Sequence, residues 1–249
     1  MTANEYGASH ILAVGDFNGD GFDDWVSGWY AFYSDGKGNF DADRLTGIGN
    51  NAATSVDVNG DGYSDLIFSN MPFSGNFSQN GGDLKIMFGS ADGLKDGVDT
   101  VDVFRSKTHD DNIATSSIVH GDFNGDGHID LILAEHGWIS NAGDSSDYYS
   151  KSFFRFFAGD GAGGFVEDTS VIIDPHAKER RSGANLISMD VNGDGWDDLV
   201  VIGGETGGTS WFTPHDGDAT SIFLNDKGKL RLVDSSDLAF ISEVRHQMR

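Results

Sequence analysis

The chain has no cysteine, only 3 prolines, and 16 lysines and arginines against 40 aspartates and glutamates. Each shortage excludes something. Without cysteine there are no disulfide staples and no thiolate zinc site, and no histidine pair stands at ligand spacing. With so few cations the net charge is -24. That argues against nucleic acid as a partner, because phosphate contacts need patches of Lys and Arg. It argues equally against anionic membrane surfaces. No apolar run is long enough for a transmembrane helix, so membrane insertion is not expected. No basic-plus-apolar leader opens the chain. No Gly-x-Ser-x-Gly, His-Glu-x-x-His or phosphate-binding Gly-x-x-x-x-Gly-Lys string occurs either.

What the chain does have is glycine, 35 residues of it, and 18 phenylalanines. Many turns with an aromatic core suit short strands packed face to face. The glycines are not scattered. The string Asp-x-Asn-Gly-Asp-Gly-x-x-Asp occurs four times, starting at Asp16, Asp57, Asp122 and Asp190. Carboxylates crowded into one turn repel one another unless a cation sits between them, and calcium takes six to eight oxygen ligands in flexible geometry. In the first copy the oxygens would come from Asp16, Asn18, Asp20, the carbonyl of Phe22, and Asp24. In the second they would come from Asp57, Asn59, Asp61, Tyr63 (carbonyl) and Asp65. The third offers Asp122, Asn124, Asp126, His128 (carbonyl) and Asp130, and the fourth Asp190, Asn192, Asp194, Trp196 (carbonyl) and Asp198. Up to four calcium ions are therefore expected. Magnesium suits the loop less, because it demands stricter octahedral geometry. The bland reading is an Asx-rich surface turn without metal.

An EF-hand loop begins the same way but needs a bidentate Glu at position twelve and flanking helices. Position twelve here is Ser27, Phe68, Leu133 and Val201. The residues after the last Asp, such as Leu66-Ile67-Phe68 and Leu131-Ile132-Leu133, read as buried strands. Each loop is thus expected to be the turn of a β-hairpin.

The four loops, together with Phe88-Gly89-Ser90-Ala91-Asp92-Gly93-Leu94 downstream, resemble the FG-GAP and VCBS repeats, also found in the propeller of integrin α-subunits. The resemblance implies an all-β fold, a β-propeller of four-stranded antiparallel blades with calcium in the first hairpin of each. Four repeats are visible, as a closed four-bladed ring or as part of a seven-bladed one. One propeller domain over 1–249 is expected, with blades near 8–51, 52–111, 112–182 and 183–249. In the third repeat the strands are expected at Thr115–His120, Leu131–Glu135, Ser152–Ala158 and Phe165–Ile173. Trp25, Phe123 and Trp196 are expected to pack between blades.

Repeats two to four carry insertions between their second and third strands, at Met71–Gly82, Gly137–Lys151 and Gly203–Ala219. In an antiparallel meander these loops crowd the face opposite the calcium loops, and insertions repeated on one face often build a binding surface. Phe73, Trp138, Tyr148, Trp211 and His215 are the candidates on that face. Aromatics beside polar residues suit a glycan or an extracellular protein; the bland reading is that they only pack the loops. A non-enzymatic binding or adhesion module, extracellular or on a cell surface, is the leading expectation, in a piece of a longer secreted protein. The alternatives are the scaffold of a polysaccharide-degrading enzyme, with His136, Asp147, Tyr148 and His215 as acid–base groups, or a structural spacer in a large adhesin.

Overall fold

A computed structural model of the chain describes residues 11–46, 48, 52–70, 83–95, 100–104, 112–138, 151–173, 184–203 and 221–233. These residues form strands and turns, with no helix among them. Each Asp-x-Asn-Gly-Asp-Gly loop joins two antiparallel strands. The first blade comprises β1 (Ile11–Gly15), β2 (Asp24–Ser27), β3 (Tyr30–Ser34) and β4 (Phe40–Arg44). The second comprises β5 (Ala53–Val56), β6 (Asp65–Asn70), β7 (Asp83–Met87) and β8 (Thr100–Phe104). The third comprises β9 (Asn112–Gly121), β10 (Asp130–Trp138), β11 (Lys151–Gly159) and β12 (Phe165–Glu167). After β13 (Ile172–Ile173) come β14 (Ala184–Met189), β15 (Asp198–Gly203), β16 (Ser221–Asn225) and β17 (Leu230–Leu232) of the fourth. Every blade is a meander in sequence order.

The first strands β1, β5, β9 and β14 lie side by side in that order, so the sheets stand next to one another like propeller blades. A blade placed this way is covered on both faces, which explains the apolar runs that follow each motif. Leu66 and Phe68 point to the first blade and join its Phe17, Val26 and Ala31 in one core cluster. Ile67, between them, points the other way and joins Leu131, Leu133 and Phe157 of the third blade. Ile132 and Phe123 in turn meet Leu199, Val201 and Phe223 of the fourth. The core is thus three slabs, one between each pair of successive blades. No slab among the described residues joins the fourth blade to the first.

One ion group lies on the third blade, with Glu135 and Arg155 buried and Glu167 exposed. Arg155 on β11 grips Glu167 on β12 through two short bonds, 2.7 and 2.8 Å, and reaches Glu135 on β10 only at 3.5 Å. Glu135 is the weaker partner and is 2% exposed. Burial pushes its carboxyl up to about 7, against the opposing pull of Arg155.

Two expectations need correction. The last strand of the third blade does not run from Phe165 to Ile173. It stops at Glu167, because the Asp168 carboxylate accepts the amide of Ser170 and turns the chain. Ile172–Ile173 then crosses to the fourth blade and pairs in parallel with β17, making that sheet five-stranded. Trp25 does not pack between blades. It stacks on Phe32, with ring centroids 5.2 Å apart, and meets Phe40 edge-on at 4.3 Å, on the face of the first blade turned away from the second.

Candidate metal loops

The local fold of the four loops follows from the first Asp. In each copy one of its carboxylate oxygens accepts the amide of the glycine three residues on, at 2.7 Å. The other oxygen accepts the amide of the second glycine at 2.9 Å. The Asn oxygen accepts the amide of the second acid, and that acid accepts the amide two residues further on. Both glycines have φ between about +70° and +90° in every copy, a left-handed conformation that a side chain would strain. The pattern Asp-x-Asn-Gly-Asp-Gly is therefore a wrapping rule: the acids fold the loop round themselves with its own amides.

The ninth position does something that the ligand spacing alone does not reveal. Asp24, Asp65, Asp130 and Asp198 have no exposed surface. One oxygen of each accepts an amide near the start of its own loop, from Phe17, Val58, Phe123 or Val191. The other accepts an amide at the end of the third strand, from Ser34, Gly159 or Asn225, or two residues beyond it, from Gly89. This carboxylate ties the loop to the far strand of its blade. Burial raises its proton affinity in all four copies, to about 6 at Asp65 and Asp130, and the neighbouring loop acids push in the same direction. The signal for it in the sequence is the residue that follows: each of these acids directly precedes a Trp or Leu at the start of a strand.

Whether a cation fits can be judged from these donors. The set is all oxygen, with three carboxylates and one amide carbonyl per loop, which is hard-cation chemistry. An oxygen that accepts one amide keeps a second lone pair for a metal. The side chains as they stand, however, are turned onto their own backbone, and no group of three His, Asp or Glu converges on a metal position among the described residues.

Comparison with known proteins agrees with the loop pattern. A family model described as the FG-GAP-like repeat matches residues 122–201. The chain carries an FG-GAP-like repeat. The matched stretch begins on the third loop and ends just beyond the fourth, so it contains two of the four copies described above. Among solved structures, a fructosyltransferase from A. japonicus aligns over 92% of this chain at 11% identity and a TM-score of 0.43. This chain spans 49% of that protein's length.

All four loops carry a ring at the seventh position, Phe22, Tyr63, His128 and Trp196, and two of these rings reach another loop. The Tyr63 ring lies over Gly19 of the preceding loop, and the Trp196 ring lies over Gly125 of its preceding loop. Phe22 and His128 instead fold back over Gly36 and Gly161 in the later turn of their own blade. Hydrogen bonds to backbone carbonyls tighten the same contacts. Ser64 donates to the Asp16 carbonyl at 2.8 Å, Ser90 to the Phe17 carbonyl at 3.1 Å, and the Asn225 side-chain amide to the Phe123 carbonyl at 2.8 Å.

Of the candidates on the opposite face, Phe73, Asp147, Tyr148, Trp211 and His215 lie outside the described residues. Trp138 and His136 fall on β10, which pairs them with Asn112 and Ala114 of β9.

Proposed function

We propose that this FG-GAP-like propeller array is a calcium-ordered binding module, secreted or displayed on a cell surface, and that it has no catalytic activity of its own. Calcium would be held by the three acids, the Asn oxygen and the seventh-position carbonyl of each loop. What supports this reading is one observation above the rest: four loops share the same hydrogen-bonding frame, and in each the charge of the ninth-position acid is disfavoured first by burial and then further by its neighbouring acids. A divalent cation would relieve that repulsion. The array would then act as a rigid mount for the long loops at the other end, whose aromatics suit a glycan or an extracellular protein.

Calorimetric titration and thermal melting test the metal. Calcium should raise the melting temperature where magnesium does so far less, with about 2.7 kcal/mol per site at a hundredfold excess over the dissociation constant. Roughly millimolar calcium is the expected working range for a module of this kind. Asp190→Ala should remove one site from the stoichiometry and leave three. A melting curve indifferent to both calcium and chelator would overturn the proposal. For the far face, polysaccharides and surface proteins should be retained without product formation; turnover would replace the binding module by an enzyme.

A further inference from the structure

We propose that the four loops work as two coupled pairs, one with two and three with four, so that calcium held in one member strengthens binding in the other. The inference rests on the calcium reading above and adds a regulation to it. What decides it is the bond made just beyond each ninth-position tie. In every blade that acid accepts an amide near the end of the third strand, from Ser34, Gly89, Gly159 or Asn225. In the first and third blades the next amide closes its own turn: Asp35 donates to the Asn39 carbonyl at 3.2 Å and Asp160 to the Gly164 carbonyl at 3.0 Å. In the second blade the next amide, that of Ser90, leaves the blade and meets the Phe17 carbonyl of the first loop at 3.1 Å. In the fourth, the Asn225 side chain makes the same crossing and meets the Phe123 carbonyl of the third loop at 2.8 Å.

Both crossings end on a residue that serves the preceding loop's own tie. Phe17 donates to Asp24 at 3.1 Å and Phe123 to Asp130 at 3.0 Å. Asp65 is thus joined to Asp24, and Asp198 to Asp130, by a continuous line of hydrogen bonds and backbone. Further contacts follow the same pairing. Tyr63 and Trp196, whose carbonyls would be ligands, lay their rings over Gly19 and Gly125, and Ser64 donates to the Asp16 carbonyl at 2.8 Å. Between the second and third loops an apolar contact takes the place of this line. His128 covers Gly161 of its own blade, and Gly163 meets the second blade at the Phe88 and Val58 side chains. An ion that fixes one ninth-position acid fixes the line behind it. The paired loop then has less freedom left to lose when its own ion binds. Coupling of this kind is reciprocal and commonly spans roughly 5–150-fold in affinity.

Titration of the isotope-labelled chain with calcium chloride, followed by NMR, tests this loop by loop. The amides of Gly21, Gly62, Gly127 and Gly195 each bond to the first acid of their own loop at 2.9 Å, so each reports its own site. Asp57→Ala should raise the calcium midpoint at Gly21 about tenfold and leave Gly127 and Gly195 where they were. Asp190→Ala should do the same to Gly127 and leave Gly21 and Gly62. Reciprocity requires Asp16→Ala to shift Gly62 by the factor that Asp57→Ala shifts Gly21. Where alanine unfolds a loop, Asp57→Asn and Asp190→Asn repeat the test with the shape kept, and the other pair serves as the folding control. Asn225→Ala keeps every carboxylate but cuts the line, so adding Asp190→Ala to it should move Gly127 far less than in the wild-type background. An undiminished shift there would overturn the pairing. So would four midpoints that each ignore the other loops, or an Asp57→Ala shift that spreads equally to every remaining loop; in all three cases the calcium reading stands. Amides that do not respond to calcium at all would overturn both.

Discussion

Loops one and three are roofed; loops two and four are not. A Cβ on Gly19 would fall 2.5 Å from the Tyr63 ring, and one on Gly125 would fall 2.3 Å from the Trp196 ring. At the equivalent Gly60 and Gly193 nothing lies within 4 Å. All four loops nevertheless have the same internal bonds and the same backbone conformation. Loop chemistry is therefore set within nine residues, whereas loop environment is set by the neighbouring repeat. The two can be separated by mutation.

The largest effect should ignore the roof altogether. Asp65 serves an open loop and Asp130 a roofed one, yet each braces its loop to the far strand through buried amides. Replacing either by Ala leaves two buried donors without an acceptor, at about 1–3 kcal/mol each. Asp65→Ala and Asp130→Ala should both lower the melting temperature by roughly 10 °C, on the usual scaling for a domain of this size. Chemical denaturation measured side by side checks the equality. A much smaller loss at Asp65 than at Asp130 would mean that the roof, not the brace, holds these loops.

Glycine substitutions should then show the difference. Gly193→Ala carries only the strain of a side chain at φ +77°, about 1–2 kcal/mol. Gly125→Ala has the same φ and must also displace the Trp196 ring, adding about 1–3 kcal/mol of overpacking. Gly19→Ala against Gly60→Ala repeats the test in the first half of the chain. Equal losses within each pair would remove the roof as a source of stability. Trp196 fluorescence offers an independent readout, since only the Gly125 variant should move that ring.

Much of this is legible in the amino-acid sequence itself. The nine-residue frame reports its own wrapping, and the apolar triplets after it report strands covered on both faces, because Leu66, Ile67 and Phe68 alternate between two neighbouring blades. The roof is harder to see. Phe22, Tyr63, His128 and Trp196 occupy one motif position and all carry rings, yet they choose different partners. The physical reason sits elsewhere in each repeat. Where the later turn offers a bare glycine, Gly36 or Gly161, the ring settles on its own blade. Where that turn is built differently, around Ser90 or around Asp226 and Lys227, the ring reaches back to the previous loop. Likewise the parallel pairing of Ile172–Ile173 is hidden, because two residues carry no readable period. The double duty of the ninth-position Asp is hidden for another reason: a metal ligand and a buried hydrogen-bond acceptor leave the same letter in the sequence.

The smallest predicted effect concerns that differently built turn. Lys227 is the non-glycine residue with positive φ among those described, at 52°. Gly36 and Gly161 hold left-handed places in the corresponding turns of the first and third blades. The fourth blade closes its turn in fewer residues, with Asp226 donating to the Lys229 carbonyl at 2.9 Å and Gly228 to the Asn225 side chain at 2.8 Å. A lysine held there carries roughly 1 kcal/mol of left-handed strain. Glycine would release it but would add freedom to the unfolded chain, at about 0.5–1 kcal/mol. Lys227→Gly should therefore raise the melting temperature by no more than about 1–2 °C. Asn225 also binds the Phe123 carbonyl, so the turn is coupled to the roofed third loop. The gain should vanish when Lys227→Gly is combined with Gly125→Ala, because a displaced Trp196 and a loosened third loop no longer hold the turn in register. If the two changes instead add, the turn and the roof are independent, and the third loop owes its cover to Trp196 alone.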